Sequence, residues 1–166
     1  MRYLVLLIIY LLAAYFFLLL NMFGSHWHYI QPILVASLLV YFNTTNHWVR
    51  YVFALLSGLF IDVLSPIFGL QSFVFITIIF ILSILQFTVF SSRNMFSVIV
   101  LTTLAFVIFW FLFYLLNFIF SWSFYDLSQL DVTHWLWGTL INILAVSFFH
   151  LLHYNLWAKK HEKQSF

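Results

Sequence analysis

Gly58-Leu59-Phe60-Ile61-Asp62-Val63-Leu64-Ser65-Pro66-Ile67-Phe68-Gly69-Leu70 is the stretch on which the reading of this chain turns. It places one carboxylate, Asp62, inside an apolar run of membrane-helix character. A turn marked by Pro66 and Gly69 follows at once, and a second apolar run opens at Leu70. Ionisable side chains are expensive inside a bilayer, so such a residue is a functional-site candidate by default.

The rest of the chain has the same character. Of its 166 residues, 66% are hydrophobic and only 6% charged, with a mean hydropathy of +1.11. A water-facing domain carries roughly a quarter charged residues, so this chain cannot build a soluble surface. The expected class is an all-α, polytopic membrane protein forming one integral membrane domain over residues 1–166. The 23 phenylalanines read as lipid-facing filler rather than an aromatic cage. The absence of cysteine excludes disulfides, thiolate metal sites and cysteine nucleophiles.

A spanning helix needs about 20 mostly apolar residues, and six segments qualify or nearly do, at about 3–20, 30–42, 49–64, 70–90, 95–120 and 132–157. The second is short and carries Pro32 near its start, where proline suits a first turn. Asn43-Thr44-Thr45-Asn46-His47 breaks the second from the third. The first is expected to be an uncleaved helix, because its apolar run exceeds a signal-peptide core and no small-residue cleavage site follows.

The basic residues test this plan. Arg2 precedes the first segment, Arg50 separates the second from the third, Arg93 separates the fourth from the fifth, and Lys159, Lys160 and Lys163 follow the sixth. The other three connections contain no Lys or Arg. Six spans therefore put every basic residue on one side, which the positive-inside rule makes the cytoplasm, with both termini there. The opposite side carries Asp126 and Asp131, and also His26, Trp27, His28 and Tyr29.

On this plan Asp62 lies about one turn from the outer end of its helix. Gly58, four residues earlier, shares its face and permits close approach of another helix. Three roles fit Asp62. Folded across the turn, it would face the free N–H groups at the start of the next helix, where the dipole favours an anion. It would otherwise contact a partner helix, or serve a substrate or proton. The first is preferred.

A second polar stripe runs along the sixth segment through Trp135, Gly138, Asn142 and Ala145, at helical spacing. Helix–helix packing is its expected role, with Asn117 in the fifth segment the candidate hydrogen-bond partner of Asn142. His150 and His153 share a helical face but lack the third ligand of helical zinc sites, so no metal is expected. They and His161 are expected near the cytoplasmic interface with the lysines. No nucleophile elbow, zinc-hydrolase motif or phosphate loop occurs, and only one Asp lies in a span; no enzymatic activity and no cofactor are expected. The basic tail offers orientation and contact with membrane lipid rather than a nucleic-acid surface.

The stretch from Leu56 to Leu70 resembles the MreD family of bacterial rod-shape-determining membrane proteins: a glycine, an aspartate four residues later, a short turn, then Gly-Leu opening the next helix. The Gln31-Pro32-Ile33-Leu34 opening of the second segment fits as well, and size and six-span plan match along the whole chain. Ser65-Pro66-Ile67-Phe68 departs from members with another glycine or a longer turn. The resemblance implies a non-enzymatic scaffold of the cell-elongation (rod) complex in the bacterial inner membrane. Its implied partners are an MreC-like single-span protein and, through it, the actin-like MreB filament and the RodA/penicillin-binding synthase pair. The candidate structural or partner-contact residues are Gly58, Asp62, Pro66, Gly69, Gly138 and Asn142. The family is also similar in fold to the substrate-binding components of energy-coupling-factor vitamin transporters. A vitamin- or micronutrient-binding transporter component is therefore the rival expectation, with His26, His28, Gln71, Asp126 and Asp131 as the polar groups available to it.

Overall fold

A computed structural model describes residues 2–22, 29–65, 67–88, 95–120 and 132–153 of the chain. Among these described residues six helices follow one another: α1 (Arg2–Met22), α2 (Pro32–Asn43), α3 (His47–Leu64), α4 (Leu70–Thr88), α5 (Met95–Ile119) and α6 (Val132–His153). No strand occurs among the described residues. Each helix overlies one expected segment. The expected ends at 90 and 157 lie outside the described residues, and α3 starts two residues earlier than expected. That earlier start is set by Asn46, whose side chain accepts the Trp48 N–H at 3.0 Å and caps the helix.

Among the described residues, four helices are long and apolar enough to cross a membrane, over Val5–Met22, His47–Leu64, Met95–Leu116 and Trp135–His153. This is a helical membrane protein by length and composition. The apolar stretches Pro32–Asn43 and Leu70–Gln86 are shorter. At 1.5 Å per residue α2 is about 18 Å long, against a hydrocarbon core of about 30 Å.

The shortest helix is also the most buried. Every residue of α2 from Ile33 to Phe42 is buried. A helix apolar on all sides belongs inside a bundle, and α2 packs against α1, α3 and α6. α3 packs on α4, α4 on α5, and α5 on α6, which returns to α2. Five helices thus close a ring, filled by residues such as Leu38, Tyr41, Phe75, Ile78, Leu82 and Phe106. α1 lies outside it against α2, with Tyr10 and Phe17 meeting the rings of Phe53 and Phe60 on α3 edge-on. Its exposed side, including Leu7, Leu11, Tyr15 and Phe16, is apolar.

The short connections 44–46 and 65–69 make α2, α3 and α4 successively antiparallel. The start of α2, the end of α3 and the start of α4 therefore share one end of the bundle. Arg50 lies at the other.

Candidate functional site: two glycine clasps at one end of the bundle

Asp62 is 1% exposed. A carboxylate so deeply buried without partners would be strongly destabilising, and here the partners come from the next helix. Its Oδ1 accepts the Gln71 N–H at 2.8 Å, and its Oδ2 accepts the Ser72 N–H at 3.0 Å. The Ser72 hydroxyl donates to the same Oδ2.

The local chain explains why an outside oxygen is needed. The Gly69 carbonyl accepts the Phe73 N–H at 3.0 Å, the first bond inside α4, so Gly69 occupies the N-cap position. An N-cap residue ordinarily offers its own side-chain oxygen to the free N–H groups of the first turn. Gly69 has none, but its φ of +92° turns the chain sharply enough to bring α4 back along α3. Asp62 supplies the missing cap from across the hairpin, at the positive end of the α4 dipole.

Gly58 makes this reach possible. A Cβ built on it would stand 2.3 Å from the Ser72 Cα and 2.6 Å from the Ser72 nitrogen. Both are backbone atoms, so no side chain can swing aside. The pair Gly58 and Asp62, one turn apart on α3, therefore grips the first turn of α4 by close contact and by hydrogen bonds. Pro66 lies outside the described residues.

A second clasp repeats the device. A Cβ on Gly138 would stand 2.4 Å from the Tyr29 Cβ and 2.9 Å from the Tyr29 carbonyl oxygen. One turn on, Asn142 is buried; its Nδ2 donates to the Tyr29 carbonyl at 3.0 Å and its Oδ1 accepts the Gln31 N–H at 3.1 Å. Gln31 is the N-cap of α2 and makes no side-chain cap of its own. Asn142 thus holds the segment entering α2 through Tyr29 and Gln31; the side chain of Asn117, the partner expected from the sequence, lies outside the described part. An amide suits this site because it must both donate and accept.

Both clasps act on the starts of α2 and α4, the helices with the shorter apolar stretches, at the same end of the bundle. Each uses Gly-x-x-Ile-Asp/Asn: Gly58-Leu59-Phe60-Ile61-Asp62 and Gly138-Thr139-Leu140-Ile141-Asn142. The stripe through Gly138 and Asn142 was the sequence signal for the second clasp, and its likeness to Gly58–Asp62 is a further one. Tyr29 and Gln31 had no such signal, since they contribute backbone atoms. The Tyr29 ring also packs on Trp110 of α5 at 5.7 Å.

Near the other end of α6 the His150 ring meets Phe42 edge-on at 6.1 Å. Among the described residues, no group of three or more His, Cys, Asp or Glu is placed to hold a metal ion. His26, His28, His161, Asp126 and Asp131 lie outside the described residues. No protein family, no curated protein and no solved structure matches the chain.

Proposed function

We propose that this chain is a non-enzymatic scaffold of the bacterial rod complex, crossing the inner membrane six times with both termini in the cytoplasm. In this role it organises side-wall peptidoglycan synthesis through an MreC-like single-span protein, the MreB filament and the RodA/penicillin-binding synthase pair. One observation carries the reading. The residues on which the MreD resemblance rests, Gly58, Asp62 and Gly69, are those that build the α3–α4 clasp. Asp62 is wholly engaged in holding two helices together, a structural duty that suits a scaffold.

Six spans follow if α2 and α4 cross with help from their flanks or a locally thinned bilayer. The alternation of basic residues along the chain supports this arrangement. The clasped end is then the outer one.

The test is co-purification of the full chain with an MreC-like protein from membranes. Capture by the wild type and its loss in Gly58→Leu, at equal membrane levels of protein, is the expected result. Capture unaffected by Gly58→Leu and Asp62→Ala would refute the assignment of partner recognition to this hairpin.

The vitamin-transporter reading has one observation in its favour. Gln71 Oε1 and Trp110 Nε1 are buried without hydrogen-bond partners among the described residues, and a small polar ligand would satisfy such groups. Stabilisation of the purified chain by a vitamin at nanomolar concentration would replace the scaffold reading with this one.

A further inference from the structure

At the end of the bundle opposite the clasps, one cation is held in a fixed pose. The Arg50 Nε–H donates to the Thr44 carbonyl at 2.8 Å, and the guanidinium carbon lies 4.6 Å from the centre of the Tyr41 ring. Tyr41 is fully buried in α2, so the platform beneath the cation is rigid. Stacking of this kind attracts a cation to the ring face and sets the plane of the guanidinium. Arginine has five N–H donors. The Nε–H is taken by Thr44, which leaves the terminal nitrogens, the edge that pairs bidentately with carboxylate or phosphate.

No carboxylate among the described residues answers this charge. Asp62 is the one described acid; it lies about 18 Å away along α3 and its oxygens are occupied by Gln71 and Ser72. The surroundings point to a membrane interface. Trp48, two residues before Arg50, is 80% exposed, and His47 and Asn46 beside it are exposed too. An exposed tryptophan at the end of a membrane helix marks headgroup depth. Arg50 sits in the first turn of α3, whose dipole adds positive potential at the same place.

We propose that Arg50, oriented by Tyr41 and Thr44, binds the phosphate of an anionic membrane phospholipid. The site rests on this being a membrane protein and not on the scaffold assignment, so either can fail without the other. Tyr41 and the Thr44 carbonyl act as positioning groups, and the guanidinium makes the contact. The fork geometry distinguishes this site from the general attraction of a basic tail to an acidic bilayer.

The experiment is native mass spectrometry of the full chain released from detergent with phosphatidylglycerol and with diacylglycerol of the same acyl chains, the second lacking the phosphate. The wild type retains phosphatidylglycerol in preference, and Arg50→Gln lowers that preference about fivefold. Arg50→Lys keeps the charge but loses the fork, and falls between the two. Lys159→Gln, Lys160→Gln and Lys163→Gln together leave the preference in place. Should Arg50→Gln fail to fold, Arg50→Lys carries the test. Retention by the Arg50 variants equal to wild type overturns the proposal. So does a loss confined to the triple tail variant, which would move the contact to the tail. Inorganic phosphate that raises the melting temperature as much as phosphatidylglycerol does would make the ligand a soluble phosphate and overturn the lipid assignment.

Discussion

The Ser72 backbone lies so close to Gly58 that a Cβ on the glycine would stand 2.3 Å from the Ser72 Cα. The two helices of the α3–α4 hairpin meet there main chain to main chain. The hydrogen bonds from Ser72 to Asp62 depend on that approach, since one turn of α3 separates Gly58 from Asp62.

Gly58→Ala therefore separates the helices or strains both. Overpacking of a tight core typically costs about 1–3 kcal/mol, and this site belongs in the upper part of that range because the obstacle is backbone. Thermal unfolding of the purified chain in detergent should show a clear fall in melting temperature. A melting point equal to wild type would mean that α4 can move away from α3 freely.

Gly69→Ala tests a different property. Nothing lies within 4 Å of a Cβ built there, so packing is not at issue. The cost comes from the φ of +92° alone and is about 1–2 kcal/mol. Asn, which tolerates this region better, should recover part of it. In the same unfolding assay, Gly69→Asn should melt above Gly69→Ala, whereas Gly58→Asn should recover nothing over Gly58→Ala.

Asp62→Asn and Asn142→Asp are complementary errors. In the first, an amide nitrogen replaces an oxygen that accepts a backbone N–H, so a donor faces a donor. In the second, an oxygen replaces the nitrogen that donates to the Tyr29 carbonyl, so an acceptor faces an acceptor. Each leaves a buried polar group unsatisfied, at about 1–3 kcal/mol. Both variants should unfold at lower temperature than wild type. Either one melting as wild type would show that the side chain concerned is not held as described.

Combining variants separates the clasps. Gly58→Ala and Gly138→Ala disturb different helix starts with no shared partner, so their effects on unfolding free energy should add to within about 0.5 kcal/mol. Gly58→Ala with Asp62→Ala should be less than additive, because the first already pulls Ser72 away from the carboxylate. Additivity in the second pair would argue that close packing and hydrogen bonding at this hairpin are independent.

Composition and hydropathy pattern determined that this is a helical membrane protein, because a chain with 6% charge cannot face water and its long unbroken apolar runs lack the alternation of barrel strands. Helix positions were legible for the same reason: the breaks at Asn43–Asn46 and Ser65–Gly69 interrupt otherwise unbroken apolar runs. The isolated Asp62, with Gly58 one turn earlier and Gly69 beyond, marked the hairpin from residue type and spacing. Tertiary structure decided what those residues touch. Hydropathy cannot rank apolar helices by burial, since lipid and protein interior are equally apolar to a leucine; that the shortest helix, α2, is the innermost emerges only from packing. The partners of Asn142 and of Arg50 were hidden because they are backbone carbonyls, an N–H group and a ring face. Every residue has a main chain, so nothing in a residue's identity announces that its carbonyl will be the one a distant side chain holds.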